Sequence, residues 1–289
     1  MSLLQNCTTD QKPVGLSSCK KFPEAIVQLI LTPSNFSFTE VQIQDPSAWQ
    51  AAVKANKSAR VVVLPRAISL EVASEEAIRA SNPLGTQNVF PGRYAFKLMF
   101  QNGFNVHKAL QSYRGFEGRV FLVDHNKTIV GTKLGENKYA GFDIDLIDPE
   151  KLKLNDLSNA TTSPVFLSLA DPSELDESGV LISGSAILNG LVPLSPAEVT
   201  VESATSSAVT VKVVNENDGV AVLGLAAGDF VLLDGNGDAQ TISGVTDNED
   251  GTYVLAGTGL VTGTVNLVTP ANLSVDAFES TAAATVTIA

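Results

Sequence analysis

The amino-acid sequence predicts a mainly β protein, in which an α+β N-terminal domain is followed by a C-terminal β-sandwich. Two observations carry this prediction. Short runs rich in β-branched residues, separated by Gly, Asn, Asp and Pro, recur along the 289 residues, as they do in strands joined by tight turns. Helical patterns are few and do not alternate regularly with strands, which disfavours a parallel βαβ sheet.

An abrupt change of composition near residue 195 predicts the domain boundary. Residues 1–194 contain 18 Lys and Arg against 19 Asp and Glu, whereas residues 195–289 contain one basic residue, Lys212, against 12 acidic residues. The two balances are −1 and −11, which account for the net charge of −12. Pro193 and Pro196 predict a stiff, extended connector, so the boundary is placed at about 194–196.

The N-terminal domain, residues 1–194, contains both strand and helix patterns. Strands are predicted at residues 25–31, 61–64, 93–100, 119–123, 128–130, 142–147 and 164–169. Helices are predicted at residues 47–55, 74–80 and 105–113, from an Asp-Pro start, two acids in a first turn and an Asn cap. The order of strand, helix and two strands over residues 93–130 predicts an antiparallel barrel or sandwich with one packed helix.

The C-terminal domain, residues 195–289, is predicted to be entirely β. Strands are predicted at residues 199–202, 208–214, 229–233, 240–245, 252–255, 264–268 and 284–288. The segments between them place Gly, Asn and Asp where a positive φ costs little. About seven short strands in roughly 100 residues are typical of an immunoglobulin-like sandwich, here without its Cys and Trp core.

Composition also excludes classes of function. The acidic balance argues against a dedicated nucleic-acid binder and against a polybasic membrane surface. No apolar run reaches the roughly 20 residues of a membrane helix, and the first residues lack the pattern of a secretory signal. Cys7 and Cys19 are too few for a disulfide framework. Three roles stay open for these two cysteines: a disulfide bridge, the closure of a small loop, or buried free thiols.

The two histidines are weak candidates for catalysis or metal binding. His107 lies inside a predicted helix, where a surface or packing role is expected. His125 belongs to Asp124-His-Asn-Lys127 between two apolar runs, which predicts a hairpin loop. Neither histidine belongs to a cluster with metal-ligand spacing, and no G-x-S-x-G motif accompanies them.

Three other segments have partial motifs for which structural roles are expected. Gly131-Thr-Lys133 lacks the upstream glycine of a phosphate loop, so a strand and turn are expected. Asp234-Gly-Asn-Gly-Asp238 begins like a calcium loop, but Ala239 and Val245 replace the required Gly and Glu, which favours a β-turn. Asp143 and Asp145 are predicted on one solvated strand face, with Phe142, Ile144 and Leu146 on the other.

Because the sequence has no recognisable catalytic arrangement, a structural protein is favoured over an enzyme. Several segments resemble one family of structural proteins. These segments are SCKKFP (18–23), LTPSNF (31–36), GRVFLVD (118–124) with IVGT (129–132), and PVFLSLAD (164–171). Through them residues 1–190 resemble structural proteins of tailed bacteriophage virions, particularly of phages with Bacteroidota hosts. The strand order around one helix is similar to that of tail tube proteins, which form stacked rings of β-barrel subunits.

The C-terminal domain adds to the resemblance. Its segments DGTYVL (250–255) and GLVTGT (259–264) resemble bacterial and phage immunoglobulin-like repeats, which some tail tube proteins have on their outer surface. The resemblance implies no catalytic residue, cofactor or metal. It predicts a virion protein, assembled in the host bacterial cytoplasm, that forms homo-oligomeric rings, most specifically the tail tube. The N-terminal arm, residues 1–22, is predicted to clasp a neighbouring subunit.

The implied partners are further copies of the chain, other virion proteins and, in a tube, phage DNA in passive contact; no membrane contact is expected. Two alternatives remain open. One is a capsid decoration, head-fibre or collar protein. The other is a carbohydrate-binding or adhesion module in which the sandwich loops contact the sugar. An enzyme is disfavoured, because only His125 and scattered carboxylates would support it.

Overall fold

A computed structural model of the chain describes residues 4–6, 23–55, 59–82, 85–101, 103–155, 160–191, 194–267, 271–272, 277–280 and 282–288. The chain divides into two compact units, Met1–Leu191 and Val192–Ala289, whereas the composition placed the boundary at about 194–196. The predicted mainly β fold is confirmed, since antiparallel sheets dominate the described residues and five short α-helices accompany them.

The described residues of the first unit form thirteen strands and five helices. The strands are β1 (Leu4–Asn6), β2 (Ile26–Pro33), β3 (Val62–Val63), β4 (Ser69–Val72), β5 (Ile78–Asn82), β6 (Gly85–Phe90), β7 (Ala95–Phe100), β8 (Gly118–Asp124), β9 (Thr128–Gly135), β10 (Lys138–Ala140), β11 (Phe142–Pro149), β12 (Ser163–Leu169) and β13 (Gly179–Ser183). The helices are α1 (Glu40–Gln44), α2 (Pro46–Val53), α3 (Gly103–Gln111), α4 (Ser173–Asp176) and α5 (Ser185–Gly190).

Eleven of these strands belong to one sheet that curls into a half-barrel. Its main path is β1-β13-β9-β8-β11-β12-β7-β4, while β10 pairs with β9, β2 with β8, and β3 with β2. The segment before β4 links the two sides of the curl: the Ala67 amide donates to the Val27 carbonyl (2.7 Å) and the Ile68 amide donates to the Met99 carbonyl (2.8 Å).

The centre of this sheet is covered on both faces. All seven residues of β8 are buried, and because successive side chains point to opposite faces, they supply two cores. Leu122 packs inside the curl with Leu98 and Leu167. Phe121 packs on the other face against Trp49 of α2, with ring centroids 5.1 Å apart. A strand buried on both faces has a continuous apolar run, as residues 120–123 do.

The seven predicted strands of the N-terminal domain correspond to β2, β3, β7, β8, β9, β11 and β12, and the helices at 47–55 and 105–113 correspond to α2 and α3. The helix predicted at residues 74–80 is wrong. Glu75 exchanges two backbone hydrogen bonds with Arg93 (2.9 and 3.3 Å), and β5 begins at Ile78. Helix propensity is a weak preference that strand pairing elsewhere in the fold overrides.

The described residues of the second unit form ten strands. They are β14 (Leu194–Ala204), β15 (Ala208–Asn215), β16 (Phe230–Asp234), β17 (Ala239–Gln240), β18 (Ile242–Asp247), β19 (Thr252–Gly257), β20 (Gly263–Leu267), β21 (Ala271–Asn272), β22 (Ala277–Ser280) and β23 (Ala284–Val286). One sheet has the order β18-β19-β15-β14-β22-β21 and the other the order β17-β16-β20-β23. Matched in chain order, β14, β15, β19 and β18 follow the A-B-E-D order of immunoglobulin-like sandwiches, and β16, β20 and β23 follow C-F-G.

One core lies between these two sheets. Val209, Val211 and Tyr253 from one sheet and Leu232 and Val265 from the other are almost completely buried in it. The phenol of Tyr253 donates to the Val222 carbonyl (2.6 Å) and so fastens the segment between β15 and β16 to β19. Pro196, predicted to lie in the connector, is part of β14 near its start, where proline is tolerated; residues 192–193 lie outside the described residues.

Candidate assembly surface

The structure gives both histidines structural neighbours. His107 lies on α3 with Nδ1 2.7 Å from the Ser163 hydroxyl oxygen of β12; among the described residues no carboxylate bonds to this ring, as a catalytic triad would require. His125 lies in the turn between β8 and β9, where its Nδ1 is 3.0 Å from Nη2 of Arg66. Because arginine only donates, Nδ1 is the acceptor of this exposed pair.

The turn around His125 is built by Asp124. Its buried carboxylate accepts hydrogen bonds from the Thr128 amide (2.7 Å) and the Glu24 amide (3.2 Å). Lys127 has a φ of +62°, as a tight turn between two strands requires. This segment is therefore a hairpin turn that also holds the start of the β2 strand.

The Gly131–Lys133 segment lies within β9. A Cβ on Gly131 would lie 2.6 Å from the Ala140 carbonyl oxygen, so the glycine permits the close approach of β10. Asp234–Asp238 connects β16 and β17: the Asp234 carboxylate accepts from the amides of Asn236 (2.8 Å) and Asp238 (2.9 Å). These bonds, above all the one from Asp238, lower the pKa of Asp234. The carboxylate is thus engaged in its own turn.

The prediction for the faces of β11 needs a correction at Leu146. Ile144 pairs with Leu169 and Leu146 with Ser168, so Asp145 is an extra residue in a β-bulge. The bulge reverses the alternation: Leu146 is 44% exposed and Ile147 is buried. Cys7, Cys19 and most of the predicted arm lie outside the described residues; within the arm, β1 pairs antiparallel with β13.

The feature with the clearest capacity to bind another chain is a two-stranded ribbon that continues from the half-barrel. The β4–β7 ladder extends through hydrogen bonds from the Ala73 amide to the Ala95 carbonyl and from the Glu75 amide to the Arg93 carbonyl (both 2.9 Å). It then continues as β5 and β6. We call residues 78–90, which contain this hairpin, the distal arm.

Gly92 and Arg93 set the base of the distal arm. Gly92 has a φ of +83°, and a Cβ there would lie 2.5 Å from the Glu75 carbonyl oxygen, so only glycine fits. The Arg93 guanidinium lies 5.5 Å from the Phe90 ring centre and pairs with the Asp145 carboxylate. Both ion-pair partners are more than a third exposed, so this pair orients the arm more than it stabilises it.

Two apolar side chains of the distal arm are exposed, and its two strands have no further strand partner within the described residues. Within the described residues, β5 and β6 pair only with each other, and β4 is the last strand on its side of the sheet. Ile78 is 60% exposed, Val89 66% and Val72 of β4 66%. Because an isolated two-stranded hairpin is marginally stable in water and open edges invite further pairing, this surface is suited to contact with another polypeptide.

Sequence analysis missed the distal arm because its first strand overlaps the wrongly predicted helix. The available signal was Asn82-Pro83, a pair that favours the start of a turn, followed by Gly85. Exposed strands such as β5 and β6 lack the apolar alternation by which half-buried strands are recognised. Their sequences therefore did not indicate a hairpin.

No protein-family model matches the chain, and no curated protein matches it. Within the described residues, no group of three or more His, Cys, Asp or Glu side chains is arranged to hold a metal ion. Of the helices described, none has the length and hydrophobicity needed to cross a membrane.

Proposed function

We propose that the protein is a bacteriophage virion structural subunit that self-assembles into homo-oligomeric rings, most specifically those of a tail tube. The observation that carries this proposal is the exposed distal arm with the adjoining open edge of β4. A neighbouring copy would cover the exposed Val72, Ile78 and Val89 and pair with the outer edge of β4. A contact between the arm of one copy and a different surface of the next copy is heterologous, and heterologous contacts form rings when the rotation between subunits closes.

The second unit supports a peripheral role in this assembly. Its sandwich encloses its own core, and its charge balance of −11 comes from one basic and 12 acidic residues. Like charges on a crowded surface keep neighbouring copies from adhering. The near-neutral first unit meets less electrostatic repulsion when its copies associate.

The alternative of a sugar-binding sandwich has less support. All three aromatic side chains of the second unit, Phe230, Tyr253 and Phe278, are buried. Sugar recognition by stacking requires an exposed aromatic face, and these three rings are used in packing. The same assembly surface would serve a decoration or collar protein, which symmetry distinguishes from a tube.

The test compares the wild-type chain with an Ile78→Lys/Val89→Lys variant by sedimentation and negative-stain microscopy. Wild type is expected to form stacked rings or tubes, and the variant to remain monomeric because two buried lysines would oppose the contact. Val41→Lys is the control, since Val41 is 78% exposed on α1, and it should assemble. Fluorescence of Trp49, the only tryptophan, checks that the first unit of each variant is folded.

Three outcomes would overturn the proposal. Wild-type protein that remains monomeric at high concentration would contradict self-assembly. Unchanged assembly of the double variant would remove the role of the distal arm. A two-dimensional lattice in place of stacked rings would favour the decoration or collar alternative over the tube.

A further inference from the structure

The charged side chains of the first unit are unevenly distributed between the two ends of the β7–β12 ladder. This ladder runs from Ala95 opposite Ser168 to Phe100 opposite Ser163. From Arg93, at the base of the distal arm, to Phe100 the strand covers about 23 Å, at about 3.3 Å per residue. Exposed charges more than about 10 Å apart are largely screened by salt. Charges at the two ends therefore do not pair within one chain.

The end of the ladder that adjoins the distal arm is acidic. Glu75 exchanges backbone hydrogen bonds with Arg93, and the phenol of the next residue, Tyr94, donates to the Asp176 carboxylate. Arg93 itself is paired with a carboxylate. Five exposed acidic side chains lie at this end and have no ion-pair partner among the described residues. We call them the acidic end: Glu75, Glu76, Asp171, Asp176 and Glu177.

The opposite end of the ladder has three exposed lysines. The Gln111 side-chain amide donates to the Glu150 carbonyl (2.9 Å), which holds α3 beside the segment that follows β11. Lys151 and Lys153 lie in this segment, and Lys108 lies one residue triplet before Gln111, on the neighbouring part of the same helix face. All three lysines are exposed, and none forms an ion pair with a described residue. We call these three lysines the basic end.

The carboxylates beside these lysines are already neutralised. Asp148 pairs with Arg114 (3.0 Å) and Glu150 pairs with Lys97 (2.6 Å). Asp156, farther along the segment, lies outside the described residues. Within the described part of this end, the three lysines therefore keep a positive surface, although the first unit as a whole is nearly neutral.

Apolar side chains are exposed beside both charged surfaces. Ile78 is 60% and Val89 66% exposed on the distal arm, and Leu154, next to Lys153, is 72% exposed. Burial of such side chains between two copies supplies free energy of association, while complementary charges set the orientation and suppress wrong pairings. Like ends of two copies repel each other and unlike ends attract, which favours a head-to-tail contact.

We propose that the basic end of one copy, together with Leu154, is the surface that receives the distal arm and the acidic end of the next copy. This inference rests on the proposed self-assembly and identifies the acceptor surface of the arm. The two surfaces differ, so the contact is heterologous. Because exposed ion pairs contribute little individually, the apolar contact with Leu154 stabilises the complex and the charges determine its direction.

The experiment reverses the charges of one end, then of both, in the full chain. Lys151→Glu/Lys153→Glu and Glu75→Lys/Glu76→Lys should each lower the association constant by about tenfold or more, because each places like charges in the contact. The chain with all four substitutions again has opposite charges and should return to within about threefold of wild type. Sedimentation velocity at low ionic strength, where screening is weakest, measures the association constants.

The matched control is Lys138→Glu/Lys212→Glu. It changes the net charge as much as Lys151→Glu/Lys153→Glu does, and both lysines are exposed and belong to neither end. This variant should associate like wild type. Fluorescence of Trp49 checks that the first unit of every variant is folded.

The outcomes distinguish this inference from the proposed assembly on which it rests. If wild type assembles and the charge reversals at the two ends leave its association unchanged, the acceptor surface is wrong while self-assembly stands. The same holds if the folded chain with all four substitutions stays dissociated, or if the control is weakened as much as the reversals at the ends. Wild-type protein that remains monomeric overturns both proposals.

Discussion

The central strands β8 and β15 show how differently the two units are built. In β8 every residue is buried, and neighbours such as Phe121 and Leu122 belong to different cores. In β15 burial alternates: Val209, Val211 and Val213 are buried, while Lys212 between them is exposed. The first unit therefore packs a sheet between two apolar layers, whereas the second packs two sheets around one layer.

The difference extends to the sheet edges and to charge. In the first unit, an edge strand continues into the distal arm, which leaves apolar side chains exposed. The second unit has 12 acidic residues and one basic residue, and several of the acidic residues, such as Asp218, Asp238 and Asp250, lie between strands. The first unit thus exposes an apolar edge that invites further pairing, while the acidic excess of the second unit opposes adhesion between its copies.

The largest expected effects test whether β8 supports two cores. Phe121→Ala and Leu122→Ala should each lower the free energy of unfolding of the first unit by about 3 kcal/mol or more, because both leave a cavity in a packed core. In β15 the corresponding neighbours should differ. Val211→Ala should cost about 2 kcal/mol and Lys212→Ala less than about 0.5 kcal/mol.

Denaturant unfolding measured by Trp49 fluorescence reports the first unit, and hydrogen exchange of β15 and β19 peptides reports the second. A small effect of either β8 substitution would contradict the double core. A large effect of Lys212→Ala would contradict the alternation in the second unit.

A smaller effect is expected where a buried ion pair fastens α4 to the half-barrel. The Glu174 carboxylate pairs with the Arg119 guanidinium, both side chains being at most 15% exposed, and accepts from the Asp143 amide (2.8 Å). Glu174→Ala leaves the arginine without its ionic partner and should destabilise the first unit by about 2–3 kcal/mol.

The matched control for Glu174→Ala is Asp145→Ala. Asp145 pairs with Arg93 where both are more than a third exposed, so its loss should cost less than about 1 kcal/mol. Trp49 fluorescence during denaturation measures both variants. An equal loss of unfolding free energy in the two variants would contradict the expectation that the buried Arg119–Glu174 pair stabilises the unit more than the exposed Arg93–Asp145 pair.

The strands and helices that sequence analysis predicted correctly are those that nearby residues indicate on their own, without contacts from distant parts of the chain. Apolar runs such as Val120–Val123 gave β8, and Asp45 gave the start of α2, where its carboxylate accepts from the Ser47 amide (2.9 Å). α1 was also within reach, since Thr39 and Gln42 form a capping box with a recognised sequence signature. These features depend on residues within a few positions of each other.

The features that sequence analysis missed depend on contacts far along the chain. The bulge at Asp145 arises from pairing with β12, and no local pattern marks which residue is the extra one. The distal arm depends on Glu75 pairing with Arg93. The candidate assembly surface was therefore less predictable than the cores of the first unit.

A modest effect specific to the second unit is expected at Tyr253. Burial raises the pKa of its phenol from 10.0 to about 12. Tyr253 therefore ionises near pH 10 in the unfolded chain, while the folded unit keeps the proton. The contribution of this shift to the free energy of unfolding is fully present below pH 10 and is lost as the pH rises toward 12. Tyr253→Phe should cost about 1 kcal/mol at pH 8, because the Val222 carbonyl loses its donor. Above pH 10 the variant should lose less stability than wild type, since phenylalanine has no proton to release. Hydrogen exchange of β15 and β19 between pH 8 and 11, corrected for intrinsic exchange rates, measures this difference, and parallel curves for the two proteins would contradict it.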